Sequence, residues 1–287
     1  RAIKKEDPTG KYLKDFDLSS LQYLFLAGER LDPDTYHWSN KLLNVPVIDH
    51  WWQTETGWPV AANCMGFSPH RFKPGSAGKP VPGYDIRILD SNGKVLGPDE
   101  EGLIAIKLPL PPGCLPTLWN DDQRYVNSYL SQYPKYYFTS DGGYKDNEEY
   151  LYIMGRVDDV INVAGHRFST GRMEEVIAAH SDVAECAVVG ANDPLKGQVP
   201  VGLLVLKNGV DRDQQVITQE VIEKIRSEIG AVASFKRVHV VKRLPKTRSG
   251  KILRRTIREI ADRKKYSIPS TIDEPEIIQE LEIVLNK

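Results

Sequence analysis

Apolar runs that end in polar turns organise the first part of the chain. One run covers residues 21–26 and ends in a polar turn at 27–30, and a second covers 45–48 and ends in a polar segment at 49–57. The residues between the runs have a helical pattern over 33–43. Short apolar runs are typical of buried strands, and parallel strands joined by a helix gather ligands at their carboxyl ends. We therefore expect both polar segments at one edge of a parallel sheet.

The pattern changes between residues 74 and 152, where short β-rich runs are cut by Gly and Pro. Three such runs lie at 84–89, 103–108 and 150–154. The sequence Asp90-Ser91-Asn92-Gly93 after the first run is typical of a hairpin turn. This texture predicts a twisted antiparallel sheet or a small barrel.

Helices and strands alternate beyond Asp158. The predicted helices lie at 172–179 and 213–229, and the predicted strands at 185–189 and 199–207. The second helix has isoleucine or valine at every fourth position and stops at Gly230, a residue type that commonly ends helices. A further strand and a cationic helix follow. We therefore place a domain boundary at Asp158, so that residues 1–157 and 158–287 belong to different domains and the second is α+β.

Composition agrees with this size and class. A chain of 287 residues has room for about two domains. With 40% hydrophobic and 27% charged residues and a net charge of −1, it resembles a soluble globular protein and has no chain-wide attraction for nucleic acid. Its three cysteines, Cys64, Cys114 and Cys186, are too far apart for a disulfide framework or a metal site, which favours a reducing compartment. No run reaches the roughly 18 apolar residues of a membrane-spanning helix.

Positive charge is concentrated near the end of the chain. Residues 236–265 contain thirteen Lys or Arg against two acids. Within them, the loop at 244–251 lies between an alternating apolar run and an amphipathic helix that begins near Ile252. Backbone N–H groups and the helix dipole add to the positive field of such a corner, which predicts a site for phosphates or a polyanion. A plain solvated basic loop is the alternative, and Pro245 and Ile252 exclude a Walker loop.

Four ordered motifs resemble the adenylate-forming acyl-CoA synthetases, and in particular their short-chain branch of acetyl-CoA and propionyl-CoA synthetases. They are WWQTETG at 51–57, YFTSDGG at 137–143, GRVDDVINVAGHR at 155–167 and PKTRSGK at 245–251. The resemblance implies a partial large α/β domain with a β-rich subdomain at about 74–154, followed by a small mobile α+β domain. It implies ligation of a short-chain carboxylic acid to CoA through acyl-AMP, with ATP, Mg²⁺ and CoA, and no nucleic-acid partner.

The resemblance covers the carboxyl-terminal part of such an enzyme. The family's loop for the ATP triphosphate has no counterpart in these residues, so we expect that they cannot complete adenylation alone. The resemblance also suggests the mitochondrial matrix, although no targeting segment is present to read.

The resemblance assigns roles by position. Lys251 matches the catalytic lysine, Glu55 the magnesium ligand and Asp141 the acid that holds the ribose hydroxyls. The remaining nucleotide-binding positions are Gly28, Glu29, Arg30, Asp49, His50, Trp51, Trp52, Gln53, Thr54, Arg156 and Arg167. Arg30 and His50 replace a common Pro and a common Thr of the family. The alternatives are that Thr54 and Thr56 only shape a turn and that Asp141 is an ordinary turn residue.

The acyl and CoA sites are assigned in the same way. Trp52 matches the floor of a short acyl pocket, and Ala27 matches a position that is often Val in acetate-using relatives, which predicts a preference for propionate. The alternatives are that both residues are plain core and that the enzyme is an acetyl-CoA synthetase. Ala164 and Arg226 match CoA-binding positions, and Asp158 matches the hinge between the domains. His180 matches a second metal position of some relatives. The plain interpretations are that Arg226 is a solvated helix residue and that His180 is a structural histidine.

A function of another class remains open from the residues alone. A non-catalytic module could bind a nucleotide or RNA through residues 236–265, with strong dependence on salt. The few aromatic residues in that stretch argue against it.

Overall fold

The computed structural model describes residues 2–67, 69 and 71–285, with the side chains of Ala2 and Asp158 left aside. Its residues form two compact units. The β-rich unit contains Leu21–Leu31 and Leu43–Asp158, and the carboxyl-terminal unit contains Arg1–Ser20, Asp32–Leu42 and Asp159–Lys287. The domain limits inferred from the sequence, 1–157 and 158–287, stay a prediction.

The helices and strands are named in chain order. The helices are α1 (Ala2–Glu6), α2 (Pro33–Leu43), α3 (Asp122–Tyr125), α4 (Thr170–Ala178), α5 (Gln214–Glu228), α6 (Arg254–Ala261) and α7 (Ile277–Leu285). The strands are β1 (Leu24–Leu26), β2 (Val47–Asp49), β3 (Ala61–Ala62), β4 (Lys79–Pro80), β5 (Ile86–Leu89), β6 (Gly102–Lys107), β7 (Tyr136–Lys145), β8 (Leu151–Arg156), β9 (Ile161–Val163), β10 (His166–Phe168), β11 (Val183–Asp193), β12 (Gly197–Leu206) and β13 (Arg237–Val240). Single turns of 3-10 helix lie at Lys11–Asp15, Thr54–Thr56, Val157–Asp159 and Ala231–Ala233, and a π-helical turn lies at Val126–Leu130.

The β-rich unit begins with the predicted parallel pair. β1 and β2 lie side by side, with Leu24 opposite Val47 and Leu26 opposite Asp49. Their connection contains α2, which has the bounds that the sequence pattern predicts. Val47 and Ile48 are each only 1% exposed, so the second apolar run is a buried strand, as expected.

The predicted antiparallel sheet is also present, in the strand order β5-β6-β7-β8. Alternate side chains of these strands meet in one core, which contains Ile86, Ile88, Ile104, Ile106, Tyr137 and Leu151. The predicted turn at 90–93 reverses the chain after β5, because Gly93 donates to the carbonyl of Asp90 over 3.1 Å and adopts a φ of +82°. β7 was not among the predicted strands, since its Thr-Ser-Asp-Gly-Gly segment has the composition of a turn.

The carboxyl-terminal unit is built on a sheet of order β10-β9-β12-β11, with β13 parallel to β12. β11 and β12 are buried on both faces. Val189, Leu203 and their alternates pack with α6 and α7, whereas Val188 and Leu204 face the opposite core with α4 and α5. Helices therefore cover both faces, which agrees with the predicted α+β domain.

β11 ends the sheet on one side, and an ion pair covers that edge. Glu174 of α4 accepts from the Val188 N–H over 2.7 Å, and Arg254 of α6 donates to the Val188 carbonyl over 3.2 Å. The two side chains also bind each other, with Arg254 Nη2 donating to Glu174 Oε2 over 2.9 Å. Because the edge groups are satisfied within the unit, they are withheld from pairing with another chain.

The pattern did not predict α7, β9 or β10 of this unit. α7 buries Ile277, Ile278 and Leu281 against the α6 side of the sheet. β9 and β10 form a hairpin of three residues a side, too short for a clear periodic signal.

Candidate functional site

The carboxyl ends of β1 and β2 bring the first two polar segments together, as the sequence predicts. The N–H of His50 donates to the carbonyl of Leu26 over 3.1 Å. The carboxylate of Asp49 accepts from the N–H of Leu31 over 3.3 Å. Gly28 bends the chain between these contacts with a φ of +99°, a backbone conformation that glycine adopts freely. The turn at 28–30 and the start of segment 49–57 thus share one edge.

A short 3-10 helix, Thr54–Thr56, fixes the next part of this segment. Thr56 makes the turn, because its hydroxyl accepts from the Gln53 N–H over 3.0 Å and donates to the Gln53 carbonyl over 2.9 Å. The alternative role as a turn-shaping residue is therefore correct for Thr56. Thr54 is exposed on the same turn.

Gln53 is the centre of a hydrogen-bonded cluster. Its side-chain nitrogen donates to the carbonyl of Thr139 over 2.7 Å and to Oδ2 of Asp141 over 2.8 Å. Its side-chain oxygen accepts from the hydroxyl of Tyr137 over 3.2 Å. The indole of Trp51 reaches Oδ2 of Asp141 over 3.3 Å. Two of the predicted nucleotide residues, Trp51 and Gln53, therefore converge on the predicted ribose acid.

Asp141 lies on a strand, so its interpretation as an ordinary turn residue is wrong. Phe138 pairs with Ala105 and Gly142 with Leu103, which leaves three residues of β7 opposite a single residue of β6. Such a bulge redirects side chains out of the regular alternation. The following Gly143 permits the close pairing, since a Cβ there would lie 2.1 Å from the carbonyl oxygen of Tyr152. Arg156 pairs with Asp141 across β7 and β8.

Glu55 is held by contacts that the sequence did not reveal. Its Oε1 accepts from the hydroxyl of Tyr129 over 2.7 Å, and its carbonyl accepts from the N–H of Leu115 over 2.6 Å. Burial and the neighbouring Glu55 carboxylate raise the pKa of Tyr129 to about 12. The phenol is therefore protonated at neutral pH and acts as the donor.

Ala27 and Trp52 are exposed among the described residues. Ala27 lies directly after β1, and Trp52 is 45% exposed directly after the bridge that Trp51 makes with Ala61. Their place in an acyl pocket stays a prediction.

Several backbone N–H groups of the loop that contains Lys251 are engaged within the unit. Thr247 N–H donates to the carbonyl of Lys251 over 2.8 Å, Gly250 N–H to that of Thr247 over 2.7 Å, and Arg248 N–H to that of Thr271 over 3.0 Å. The Lys251 N–H donates to the Thr247 hydroxyl over 3.1 Å. These four groups therefore add little to the positive field, and the phosphate site predicted at this corner stays a prediction.

The two lysines of this loop, Lys246 and Lys251, have different surroundings. Lys246 pairs with Glu185 of β11 over 2.6 Å, and the Glu185 side chain is only 8% exposed. This pair fixes the base of the loop. Lys251 is exposed at the opposite end of the closed turn. The loop therefore presents one tethered and one solvent-facing lysine.

Ion pairs reduce the positive character of residues 236–265. At least five of the thirteen cations bind carboxylates, namely Arg243 with Glu274 and Glu280, Lys246 with Glu185, Arg254 with Glu174, Arg255 with Glu259 and Lys264 with Asp262. Four of these carboxylates, Glu174, Glu185, Glu274 and Glu280, lie outside the stretch in the sequence. The local charge that favours an RNA-binding module is therefore weaker than the composition suggests.

The Ala164 segment is the tip of the β9–β10 hairpin. Val163 pairs with His166, so Ala164 and Gly165 form a two-residue turn, with φ angles of +50° and +88°. Two positive φ angles are typical of the type I′ turn. Both tip residues and Arg167 are exposed.

The remaining assigned residues lie on other elements. Arg226 is exposed in the last turn of α5. Asp158 lies in the 3-10 turn Val157–Asp159, and its side chain is outside the described structure. His180 uses both ring nitrogens, because Nδ1 accepts from the Asp182 N–H over 3.2 Å and Nε2 lies 2.9 Å from the Glu220 carboxylate. The structural interpretation of His180 is therefore favoured.

Comparison with known proteins identifies the family to which these positions belong. Residues 2–111 match the AMP-binding enzymes, and residues 172–251 match the AMP-binding enzyme C-terminal domain. Both stretches are therefore similar to parts of the AMP-binding enzymes. The recognition of an adenylate-forming family from four motifs is thereby confirmed.

Curated relatives match almost all of this chain. An uncharacterized protein of Pseudomonas aeruginosa is 56% identical over 285 residues, which are 99% of this chain and 45% of that protein. Acyl-CoA synthetase short-chain family member 3, mitochondrial, of Mus musculus is 48% identical over 100% of this chain and 42% of that protein. Propionate–CoA ligase of Escherichia coli is 43% identical over 97% of this chain and 45% of that protein. The chain thus spans less than half the length of these relatives.

Solved structures confirm the fold class. An anthranilate CoA ligase, AuaEII, in complex with anthranoyl-AMP has a TM-score of 0.76 and 26% identity, covering 87% of this chain and 46% of that chain. The amide bond synthetase McbA of Marinactinospora thermotolerans has the same TM-score of 0.76 at 24% identity, covering 87% of this chain and 48% of that chain, and shares the fold.

Two functional candidates, Tyr129 and Tyr137, were missed by the sequence reasoning. A signal was present for the first, because Asp121 caps α3 by accepting from the Arg124 N–H over 3.1 Å, and tyrosines follow at spacing four. The approach of these rings to Glu55 and Gln53 is long-range, and no local pattern encodes it.

Proposed function

We propose that the full-length protein joins a short-chain carboxylate to CoA at the expense of ATP, through an acyl-AMP intermediate, and that propionate is its favoured acid. The observation that carries the proposal is the cluster in which Trp51 and Gln53 both donate to Oδ2 of Asp141. It supports a carboxylate held ready for vicinal hydroxyl groups beside the ends of β1 and β2. The names of the mouse and Escherichia coli relatives support the acid-thiol ligase class.

Asp141 is the residue that we propose for binding the ribose. It is 8% exposed, and Gln53 and Trp51 donate to one of its oxygens, which stabilises the charged form. A carboxylate can accept hydrogen bonds from two hydroxyl groups of one sugar. Arg156, which pairs with Asp141 across the sheet, supplies positive charge beside it. Gly28 to Arg30 and Asp49 to Trp52 form the neighbouring wall, where the adenine is proposed to lie.

Glu55 fits the binding of the Mg²⁺ that accompanies ATP. It is the carboxylate of the 3-10 turn, and its orientation is fixed by Tyr129. Among the described residues, no three His, Cys, Asp or Glu side chains form a metal-binding group. Glu55 alone suits Mg²⁺, because this ion takes one or two protein carboxylates and completes its shell with phosphate and water. When bound, the ion would neutralise phosphate charge.

Lys251 is the residue that we propose for the adenylation step. The carboxylate attacks the α-phosphorus of ATP, pyrophosphate leaves, and negative charge accumulates on phosphate oxygens. An exposed ammonium on a closed, rigid turn can be placed beside those oxygens without reorganising the loop. Arg167 is proposed to contact the nucleotide phosphate.

The second step transfers the acyl group to the CoA thiol, which displaces AMP. The exposed hairpin tip at Ala164 is proposed to contact the CoA chain, and Arg226 a CoA phosphate. We assign Asp158 as the hinge that allows the two steps to use different surfaces of the C-terminal domain. A hinge requires rotation at only a few backbone positions.

The acyl preference rests on the positions of Ala27 and Trp52. The indole of Trp52 would block long chains, and the small side chain of Ala27 would leave room for about one more carbon than Val. Both side chains are accessible rather than packed in the core. The proposal therefore favours propionate over acetate.

We also propose the mitochondrial matrix as the compartment. The names of the mouse, rat and human relatives support it, while the Pseudomonas aeruginosa and Escherichia coli relatives are bacterial. Fractionation of cells that express the full-length protein tests this point, and recovery outside the matrix would contradict it.

The acid panel tests the activity. Full-length protein is incubated with ATP, Mg²⁺ and CoA together with acetate, propionate, butyrate or octanoate, and AMP release is measured with and without CoA. We expect CoA-dependent AMP release that is fastest with propionate and absent with octanoate. Absence of turnover with all four acids would contradict the ligase assignment.

A further inference from the structure

Tyr129 lies on an unusual turn of the backbone. The π-helical turn Val126–Leu130 follows α3, and the N–H of Ser131 closes it on the carbonyl of Val126 over 2.9 Å. Such wide turns are rare and are found frequently at functional sites. Here the turn carries the Tyr129 ring over Tyr137, with ring centroids 5.3 Å apart and planes inclined by 6°.

Tyr129 contacts one acid of the site directly, and Tyr137 is linked to the other through Gln53. The hydroxyl of Tyr129 donates to Oε1 of Glu55 over 2.7 Å. The hydroxyl of Tyr137 donates to the side-chain oxygen of Gln53 over 3.2 Å, and Gln53 donates to Asp141. Each phenol is the donor in its hydrogen bond. The stacked rings therefore connect the proposed metal carboxylate with the proposed ribose carboxylate.

A single hydrogen bond restricts how a carboxylate can rotate. Tyr129 engages Oε1 of Glu55, which restricts rotation of the carboxylate and leaves Oε2 for a further ligand. Carboxylates that bind metals are themselves hydrogen-bonded as a rule, and loss of such a partner lowers metal affinity by about 10-fold to 100-fold.

We propose that Tyr129 is a positioning residue that sets the affinity of this protein for the divalent cation by orienting Glu55. The proposal rests on the function proposed above for Glu55. It extends that function to a residue outside the four motifs, and it predicts an effect on the metal rather than on the acid or on CoA.

Electron paramagnetic resonance of Mn²⁺ provides a readout without turnover. Full-length wild type, Tyr129→Phe, Glu55→Gln and the double variant are titrated with Mn²⁺ in the presence of a non-hydrolysable ATP analogue. Phe keeps the ring that stacks on Tyr137 and removes only the hydroxyl. Tyr125→Phe is the matched control, because it removes a hydroxyl from the same segment whose partner is the carbonyl of Leu115, 3.0 Å away.

We expect Tyr129→Phe to bind Mn²⁺ about 10-fold to 100-fold more weakly than wild type, and Tyr125→Phe to bind it with wild-type affinity. Because Tyr129 acts through Glu55, Tyr129→Phe should add nothing in the Glu55→Gln background. Thermal unfolding checks that each variant is folded. Wild-type Mn²⁺ affinity in folded Tyr129→Phe, or additive losses in the double variant, would overturn the proposal.

The ligase proposal and this inference fail in different ways. A protein without turnover on any acid, in which Tyr129→Phe still weakens Mn²⁺ binding through Glu55, would retain the positioning role and lose the ligase function. A protein with propionate turnover and unchanged Mn²⁺ affinity in Tyr129→Phe would retain the function and lose the inference. In steady-state assays the variant should raise the KM for Mg·ATP and leave the KM for propionate unchanged.

Discussion

At the residue scale, the orientation of Asp141 depends on donors that come from another part of the sequence. Gln53 is 88 positions away and donates to Oδ2 over 2.8 Å. A buried carboxylate that loses a donor keeps its desolvation cost, so the arrangement is sensitive to single substitutions. The site therefore offers direct tests at individual positions.

Gln53→Leu should weaken nucleotide binding. Leu is similar in size but cannot donate to Asp141 and Thr139 or accept from Tyr137. We expect the KM for ATP of the full-length protein to rise about tenfold, equivalent to about 1.4 kcal/mol. Gln123→Leu is the matched control, since Gln123 is exposed and contacts only Asn127 in the described hydrogen bonds. An unchanged KM for ATP in Gln53→Leu would refute the role of the cluster.

Ala27→Val should shift the acyl preference toward acetate. The two added methyl groups would occupy the space that we assign to the last carbon of propionate. A difference of one methylene is worth about 1–3 kcal/mol. We expect the propionate-to-acetate ratio of kcat/KM to fall by about tenfold or more. Because the ratio is taken within one enzyme preparation, partial loss of folded protein does not affect it; an equal ratio would exclude Ala27 from the acyl pocket.

Some hydrogen bonds of the candidate site could not be predicted from the sequence. Motif matching found Trp51, Gln53 and Asp141, but the hydrogen bonds between them and the tyrosines beneath them depend on long-range approach. Several N–H groups that we expected to add to the positive field of the Lys251 loop are engaged, for a local reason. A tight turn uses its own N–H groups, and Thr247 accepts and donates within it.

At the element scale, an ion-pair cluster ties the segment before β4 to the β7–β8 turn. Lys73 binds Asp146 over 2.6 Å and Glu148 over 2.7 Å. Hydrogen bonds to Lys73 hold the pKa of Glu148 below its ordinary value of 4.5. At Asp146 burial opposes ionisation, but the bonds from Lys73 and from backbone N–H groups hold its pKa below 3.8.

Lys73→Met should therefore change the acid sensitivity of the protein. Carboxylates with a depressed pKa in the folded state stabilise it above their ordinary pKa, and this contribution is lost as pH falls through the folded value. Wild type should exceed Lys73→Met in free energy of unfolding at neutral pH, and the difference should shrink below the ordinary values of 4.5 and 3.8. Urea unfolding between pH 3 and 7 measures it, and a difference independent of pH would contradict this account.

Element prediction from the sequence succeeded where periodicity extended over several turns. α2 has the predicted bounds, and α5 lies within the predicted range with Asp213 as its cap. The sequence pattern did not predict β7, because the small and polar residues at its bulge have the composition of a turn. α7 was open to prediction, since Ile277, Ile278, Leu281 and Leu285 have helical spacing.

At the scale of the whole molecule, ion pairs between distant positions reduce the positive charge near the end of the chain. No helix within residues 2–67, 69 and 71–285 is both long and apolar enough to cross a membrane. The cations near the end of the chain are partly neutralised by acids from distant positions, such as Glu185 with Lys246. The composition of residues 236–265 therefore overstated the case for an RNA-binding module.

We propose that the two half-reactions use different surfaces of the C-terminal domain. Lys251 is proposed for adenylation, and the Ala164 hairpin is proposed for thioester formation. Both are exposed on well-formed local structures, a closed turn and a type I′ hairpin. A substitution in the Lys251 turn should therefore affect one half-reaction and spare the other.

The most direct test measures both half-reactions of full-length Lys251→Ala. Adenylation is followed as pyrophosphate release from ATP and propionate, and thioester formation as propionyl-CoA made from supplied propionyl-AMP and CoA. Loss of a positioned charge should slow adenylation by at least about 100-fold, while thioester formation stays within a few-fold of wild type. Wild-type adenylation by Lys251→Ala, or equal loss of both half-reactions, would contradict the account.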